Sequence, residues 1–104
     1  MQVNYQPIQF ILEKAGYRYS ARIGDDNSDS YLWWMPNIPG HTLESFELTF
    51  DGMLAEAALY DEHKVKLYIA MSNYDRTIVP NNIPKAREEH FKRMEAMENY
   101  ALSA

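Results

Sequence analysis

Asp25, Asn27 and Asp29 stand at alternate positions in a polar stretch, the spacing with which a calcium-binding loop begins. Such a loop needs Gly at its sixth position and Glu at its twelfth, and here those places hold Ser30 and Pro36. The oxygen cage cannot close, so the three residues predict no calcium site. His41, His63 and His90 lie far apart, form no His-x-x-x-His pair and have no cysteine to complete a zinc set. No metal is expected. Asp61, Glu62 and His63 adjoin, but consecutive residues at a helix end point in different directions and read as a solvated terminus.

Catalytic patterns are equally sparse. There is no Gly-x-Ser-x-Gly elbow. Gly16, Gly24, Gly40 and Gly52 are isolated and read as caps or turns, not as a phosphate cradle, so no nucleotide cofactor is indicated. Fifteen carboxylates could supply an acid–base pair by chance alone, which assigns no catalytic residue and leaves the reading leaning away from an enzyme.

What the sequence does show is segregated charge. Between Gly24 and Glu62 lie nine carboxylates and no Lys or Arg, while the rest of the chain holds all ten basic residues against six acids. A middle of formal charge −9 thus sits within a chain of net −5. Such a run projects negative potential over about one Debye length, roughly 8–10 Å at physiological salt, and favours positively charged partners.

Beside it sits an aromatic strand, Tyr31 to Met35, whose adjacent Trp33 and Trp34 must face opposite sides. One face of the hairpin then presents Arg18, Ser20 and Arg22 with either Trp33 and Tyr31 or Trp34 and Leu32. Trp, Tyr and Arg are the usual anchors of protein interfaces. Asp25, Asp26, Asp29, Tyr31, Trp33, Trp34, Glu44 and Glu47 are therefore the candidate partner-binding residues. The expected function is a small acidic protein-binding module that docks on a basic surface of a partner. Where that surface serves nucleic acid, in a nuclease or another nucleic-acid-handling complex, the module competes as an electrostatic mimic and inhibits. A phage or mobile-element protein that disables a host defence complex would suit such a chain.

Two alternatives use the same residues or none. Arg18, Arg22 and Tyr19 could form an aromatic pocket for a small molecule or nucleotide. A small enzyme without a recognisable motif is the other. Direct nucleic-acid binding is not expected, because the pI is near 5.1 and the aromatic strand abuts three aspartates.

The elements that must position these residues follow from periodicity. At 104 residues the chain is expected to form a single domain, 1–104. The absence of cysteine, of a secretory start in Met1 to Phe10 and of a long apolar run predicts a soluble, cytoplasmic protein off the membrane. Pro7, Ile8, Ile11, Leu12 and Ala15 predict a helix stopped by Gly16. From Tyr17 the period becomes two, with Tyr17, Tyr19, Ala21 and Ile23 on the core side of a strand, and a hairpin leads to the aromatic strand.

Phe46, Leu48 and Phe50 read as a strand ending at Asp51-Gly52, followed by a helix from Met53 to Glu62 capped by Asp51; one helix from Thr42 is the competing reading. Val65, Leu67, Ile69 and Met71 alternate with Lys64, Lys66, Tyr68 and Ala70 and predict a further strand. After a loop from Ser72 to Asn82, Pro84 opens a last helix, its inward stripe formed by Arg87's stem, His90, Phe91, Met94, Met97 and Ala101. Glu88 with Lys92 and Glu89 with Arg93 are expected to pair on its outer face. That helix can pack on its own sheet or on a second copy of the chain. The sum is an α+β fold, a mainly antiparallel sheet of three to four strands against two to three helices.

Overall fold

The computed structural model describes residues 6–24, 30–34 and 45–103, with the side chains of Gln6 and of residues 100–103 left aside. Six elements follow one another: α1 (Gln6–Lys14), β1 (Arg18–Ile23), β2 (Ser30–Trp34), β3 (Phe46–Thr49), α2 (Phe50–Ser72) and α3 (Ile78–Ser103). The strands form an antiparallel sheet in the order β1-β2-β3. With three helices beside it, this is the expected α+β class.

Helix α1 buries Ile8, Ile11 and Leu12, as its spacing requires. Gly16 ends it at φ 105°, a left-handed conformation that costs glycine nothing. The amide of Gly16 donates to the Glu13 carbonyl and that of Tyr17 to the Leu12 carbonyl, both at 3.0 Å. This is a Schellman ending, and it fixes where the chain enters β1 and so where Tyr17 sits.

In the β1–β2 hairpin, Arg18 faces Trp34 and Tyr19 faces Trp33, but Ala21 faces Leu32. Ser20 is therefore an extra residue, a bulge that flips every later side chain of β1 to the other face. Tyr19, Tyr31, Trp33, Phe46 and Leu48 form the inner face and belong to, or pack on, the core. Ala21 and Ile23 were expected on that face. The bulge puts them outside with Leu32 and Trp34, and Ile23 is 38% exposed.

Strand β3 passes directly into α2. Its cap is Thr49, not Asp51: the Thr49 hydroxyl accepts from the Gly52 amide at 3.0 Å, a contact that typically stabilises a helix by about 1 kcal/mol. Asp51 lies inside the first turn, where its carboxylate accepts a hydrogen bond from the Tyr74 hydroxyl.

The predicted strand over 65–71 is helix instead. Asp61 leaves helical geometry (φ −149°, ψ 75°), and its side chain accepts from the Lys64 amide at 3.1 Å, so it caps a second helical segment. Lys64 pairs back to Asp61 at 3.6 Å and Lys66 to Glu62 at 3.0 Å. Were α2 straight, Phe50 and Tyr68 would lie about 27 Å apart along its axis. Their rings are 6.4 Å apart, and Phe50 meets Tyr74 at 5.3 Å. The chain reverses at Asp61, and residues 62–72 fold back along 50–60. Val65 and Ile69 are buried while Leu67 and Met71 are exposed, which is a helical period of four and not the strand period of two. Asn73, at φ 58°, closes the segment.

Helix α3 begins at Ile78, six residues before Pro84, which lies inside it. The Asp75 carboxylate accepts from the Thr77 amide at 3.0 Å and from its hydroxyl at 2.8 Å, ordering the turn that starts the helix. These bonds hold the Asp75 carboxyl below its usual range. The inward stripe is Val79, Ile83, Ala86, His90, Arg93 and Met97. Phe91 and Met94, expected inside, are 63% and 43% exposed, and Arg87 is exposed too; Ala101 is outside the described side chains. The helix is turned toward His90 and Arg93 because both find buried partners. Among the described residues no helix is long and apolar enough to cross a membrane.

Candidate functional site

The densest chemistry lies where α1 hands over to β1. The Schellman turn aims Tyr17 inward, the first half of α2 contributes Glu56 and Tyr60 four residues apart, and α3 contributes His90 and Arg93 three residues apart. Glu56 is 1% exposed and Tyr17 2%. The Tyr17 hydroxyl donates to Glu56 Oε2 at 2.8 Å, and Arg93 forms an ion pair with Glu56 Oε1. His90 Nδ1 is 3.0 Å from the Tyr17 oxygen and the Tyr60 hydroxyl is 3.1 Å from it.

Tyr17 has one proton, and Glu56 takes it. His90 must then donate from Nδ1, which assigns the Nδ1–H tautomer and leaves Nε2 as an acceptor 3.5 Å from the Tyr60 hydroxyl. The guanidinium of Arg93 also lies over the Phe46 ring, 4.3 Å from its centroid. Burial pushes the Tyr17 hydroxyl far above its ordinary range, so it stays neutral. Burial also pushes His90 below its ordinary value.

Both carboxylate oxygens of Glu56 are taken internally, and the hydroxyl of Tyr17 is fully engaged. The cluster therefore works as a latch holding the root of the sheet to α2 and α3. Arg93 Nε, by contrast, is buried without a hydrogen-bond partner. A groove of about 370 Å³ opens nearby, lined by Glu47, Thr49, Asp51, Glu56, Lys85 and Glu89 among others. Among the described residues, no group of three or more His, Asp or Glu is placed to hold a metal ion.

Burial of His90 makes the fold sensitive to mild acid. Below about pH 6.5 the unfolded chain takes up a proton on His90 that the folded chain refuses, so stability falls as pH drops through that range. Urea midpoints measured from pH 7.5 to 5 should fall more steeply for the native chain than for His90→Gln. Parallel curves would show that His90 titrates alike in both states.

The sequence-predicted partner residues are dispersed. Tyr31 and Trp33 lie in the core, 6% and 0% exposed, with the Trp33 indole nitrogen buried and unpartnered. Trp34 is half-buried on the outer face beside Leu32, and Glu47, opposite Leu32, is exposed there. Asp25, Asp26, Asp29 and Glu44, like His41, lie outside the described residues. His63 is exposed. Of the pocket residues, Tyr19 packs edge-on against Trp33 at 5.2 Å. The bulge sets Arg18 on the outer face across from Trp34 and Arg22 on the inner one across from Tyr31, so the three do not converge.

Parts of the acidic run are engaged internally, Glu56 with Arg93 and Tyr17, and Asp61 and Glu62 with the lysines that follow them. The sequence reading missed Glu56, Tyr60 and Arg93 as a unit. One signal was present: Glu56 is a lone charge inside the apolar run Met53 to Ala58, which demands a buried partner. No protein-family model, curated protein or solved structure matches the chain.

Proposed function

We propose that the chain is a protein-binding module that docks on a basic surface of a partner through the outer face of its sheet. The observation that carries this is the one-sided packing of that sheet. The inner-face aromatics join residues of α1, α2 and α3 in the core, whereas among the described residues Ala21, Ile23, Leu32 and Trp34 on the outer face are not part of that cluster. An apolar strip with Leu32 at its centre, a half-buried Trp34 at its end beside Arg18, and Glu47 at its other edge is the composition of an interface anchor with a polar rim. The acidic residues Asp25, Asp26 and Asp29 add the steering field. Where the partner surface normally holds nucleic acid, occupation by this module inhibits it, and a cysteine-free chain suits the cytoplasm.

The test is capture from a host lysate at ~0.05 and ~0.5 M salt, followed by titration of the purified partner against two variants. One is Trp34→Ala; the other replaces Asp25, Asp26 and Asp29 with Lys. A partner with a basic surface, released by salt and bound at least about tenfold more weakly by each variant, is the expected result. Binding unaffected by both variants would overturn the reading, as would the absence of any specific partner.

A further inference from the structure

Helix α3 carries a second surface, on the shoulder of its buried stripe. Arg87, Phe91, Met94 and Glu98 recur at spacings of four, three and four, which places them within about 60° of one another around the helix. Phe91 and Met94 are 63% and 43% exposed. Beside them is a hollow of about 420 Å³ lined by Phe91, Met94, Glu95, Met97 and Glu98. Two large apolar side chains thus form the centre of a strip that is cationic at one end and anionic at the other.

That order makes the strip complementary to itself in one orientation. Laid antiparallel on a second α3, Phe91 meets Met94 of the other copy, Met94 meets its Phe91, and each Arg87 falls opposite a Glu98, since both charges lie four residues from the nearer apolar group. A parallel arrangement would set Arg87 against Arg87 and Glu98 against Glu98. Glu88, at the edge of the strip, is already paired with Lys92 of its own helix at 3.2 Å.

We infer that α3 is the contact of a two-fold antiparallel homodimer, with Phe91 and Met94 at its centre and two Arg87–Glu98 pairs at its ends. The occupant is a second copy because the charge order is complementary to its own reversal. The surface is separate from the outer face of the sheet, so the two interactions stand or fall independently.

Sedimentation equilibrium of the full chain from ~1 to ~200 µM should show conversion to twice the 12.2 kDa of one chain. Met94→Glu should leave it monomeric throughout that range. Arg87→Glu or Glu98→Arg alone should weaken association roughly tenfold, and the two together, with the charges exchanged, should restore it to within about threefold. All these positions are at the surface, and circular dichroism should be unchanged. A chain that stays monomeric at ~200 µM, a dimer indifferent to Met94→Glu, or an exchange that fails to restore association would each overturn the inference.

Discussion

Replacing Glu56 with Ala should destabilise the fold by about 3–5 kcal/mol, the largest loss expected from any single polar residue here. The substitution removes a carboxylate that is 1% exposed and leaves the Arg93 guanidinium, its side chain 19% exposed, without its counter-charge. It also strips the Tyr17 hydroxyl of its acceptor deep in the protein. Glu56→Gln should fare little better, because an amide that still accepts from Tyr17 cannot neutralise Arg93. Tyr17→Phe removes the hydroxyl that bonds Glu56, His90 and Tyr60 but leaves the ion pair, so about 1–3 kcal/mol is expected.

The decisive comparison is the double substitution Glu56→Leu with Arg93→Met. Replacing both charges by apolar groups removes the desolvation cost together with the attraction, so most of the stability should return. In urea denaturation, with the slope held, the midpoint of the double variant should lie well above that of Glu56→Ala. If Glu56→Ala costs less than about 1 kcal/mol, the pair is not the latch described here. If the double variant is as unstable as the single, the acceptor for the Tyr17 hydroxyl and not the charge pair is what Glu56 supplies.

How much of this was legible depends on how local each determinant is. Helix α1 could be read because Pro7, the Ile8–Ile11–Leu12 stripe and Gly16 are neighbours that all favour the same structure. The hairpin was legible in outline, but its faces were not. A bulge at Ser20 leaves no mark in the alternation of Tyr19, Ala21 and Ile23, and one inserted residue is enough to turn two of them outward.

The candidate site was hidden for a different reason. Tyr17, Glu56 and His90 come together across sequence separations of 39 and 73 residues, and no spacing rule spans such distances. The lone Glu56 among apolar residues announced that a partner was needed without saying which. Arg93 was expected to pair with Glu89 one turn away, and the buried carboxylate on another helix won because there the interaction is less screened by water.

Residues 64–71 show most clearly how a period can mislead, and they supply the second large prediction. Val65, Leu67, Ile69 and Met71 alternate as a strand would, yet every second pair in such a series is also an i, i+4 pair of a helix. Asp61 decided the matter by capping a helix whose first turn contains Glu62, with Lys66 four residues later. Leu67, in the middle of that segment and 52% exposed, separates backbone from side chain.

Leu67→Lys should change stability by no more than about 0.5 kcal/mol, since little apolar surface is lost. Leu67→Gly should cost about 1 kcal/mol for helix propensity alone. Leu67→Pro should cost about 3 kcal/mol or more, because proline removes the amide bond to the His63 carbonyl and clashes with that turn. It also loosens the segment that carries Val65, Tyr68 and Ile69 back onto the first half of α2. For a domain of this size a loss of 3 kcal/mol lowers the melting temperature by roughly 12–24 °C, well within reach of a thermal scan. If Lys were as costly as Pro, the side chain of Leu67 and not the helix would be what matters, and a mild effect of Pro would mean that residues 62–72 do not need to be helical for the fold to stand.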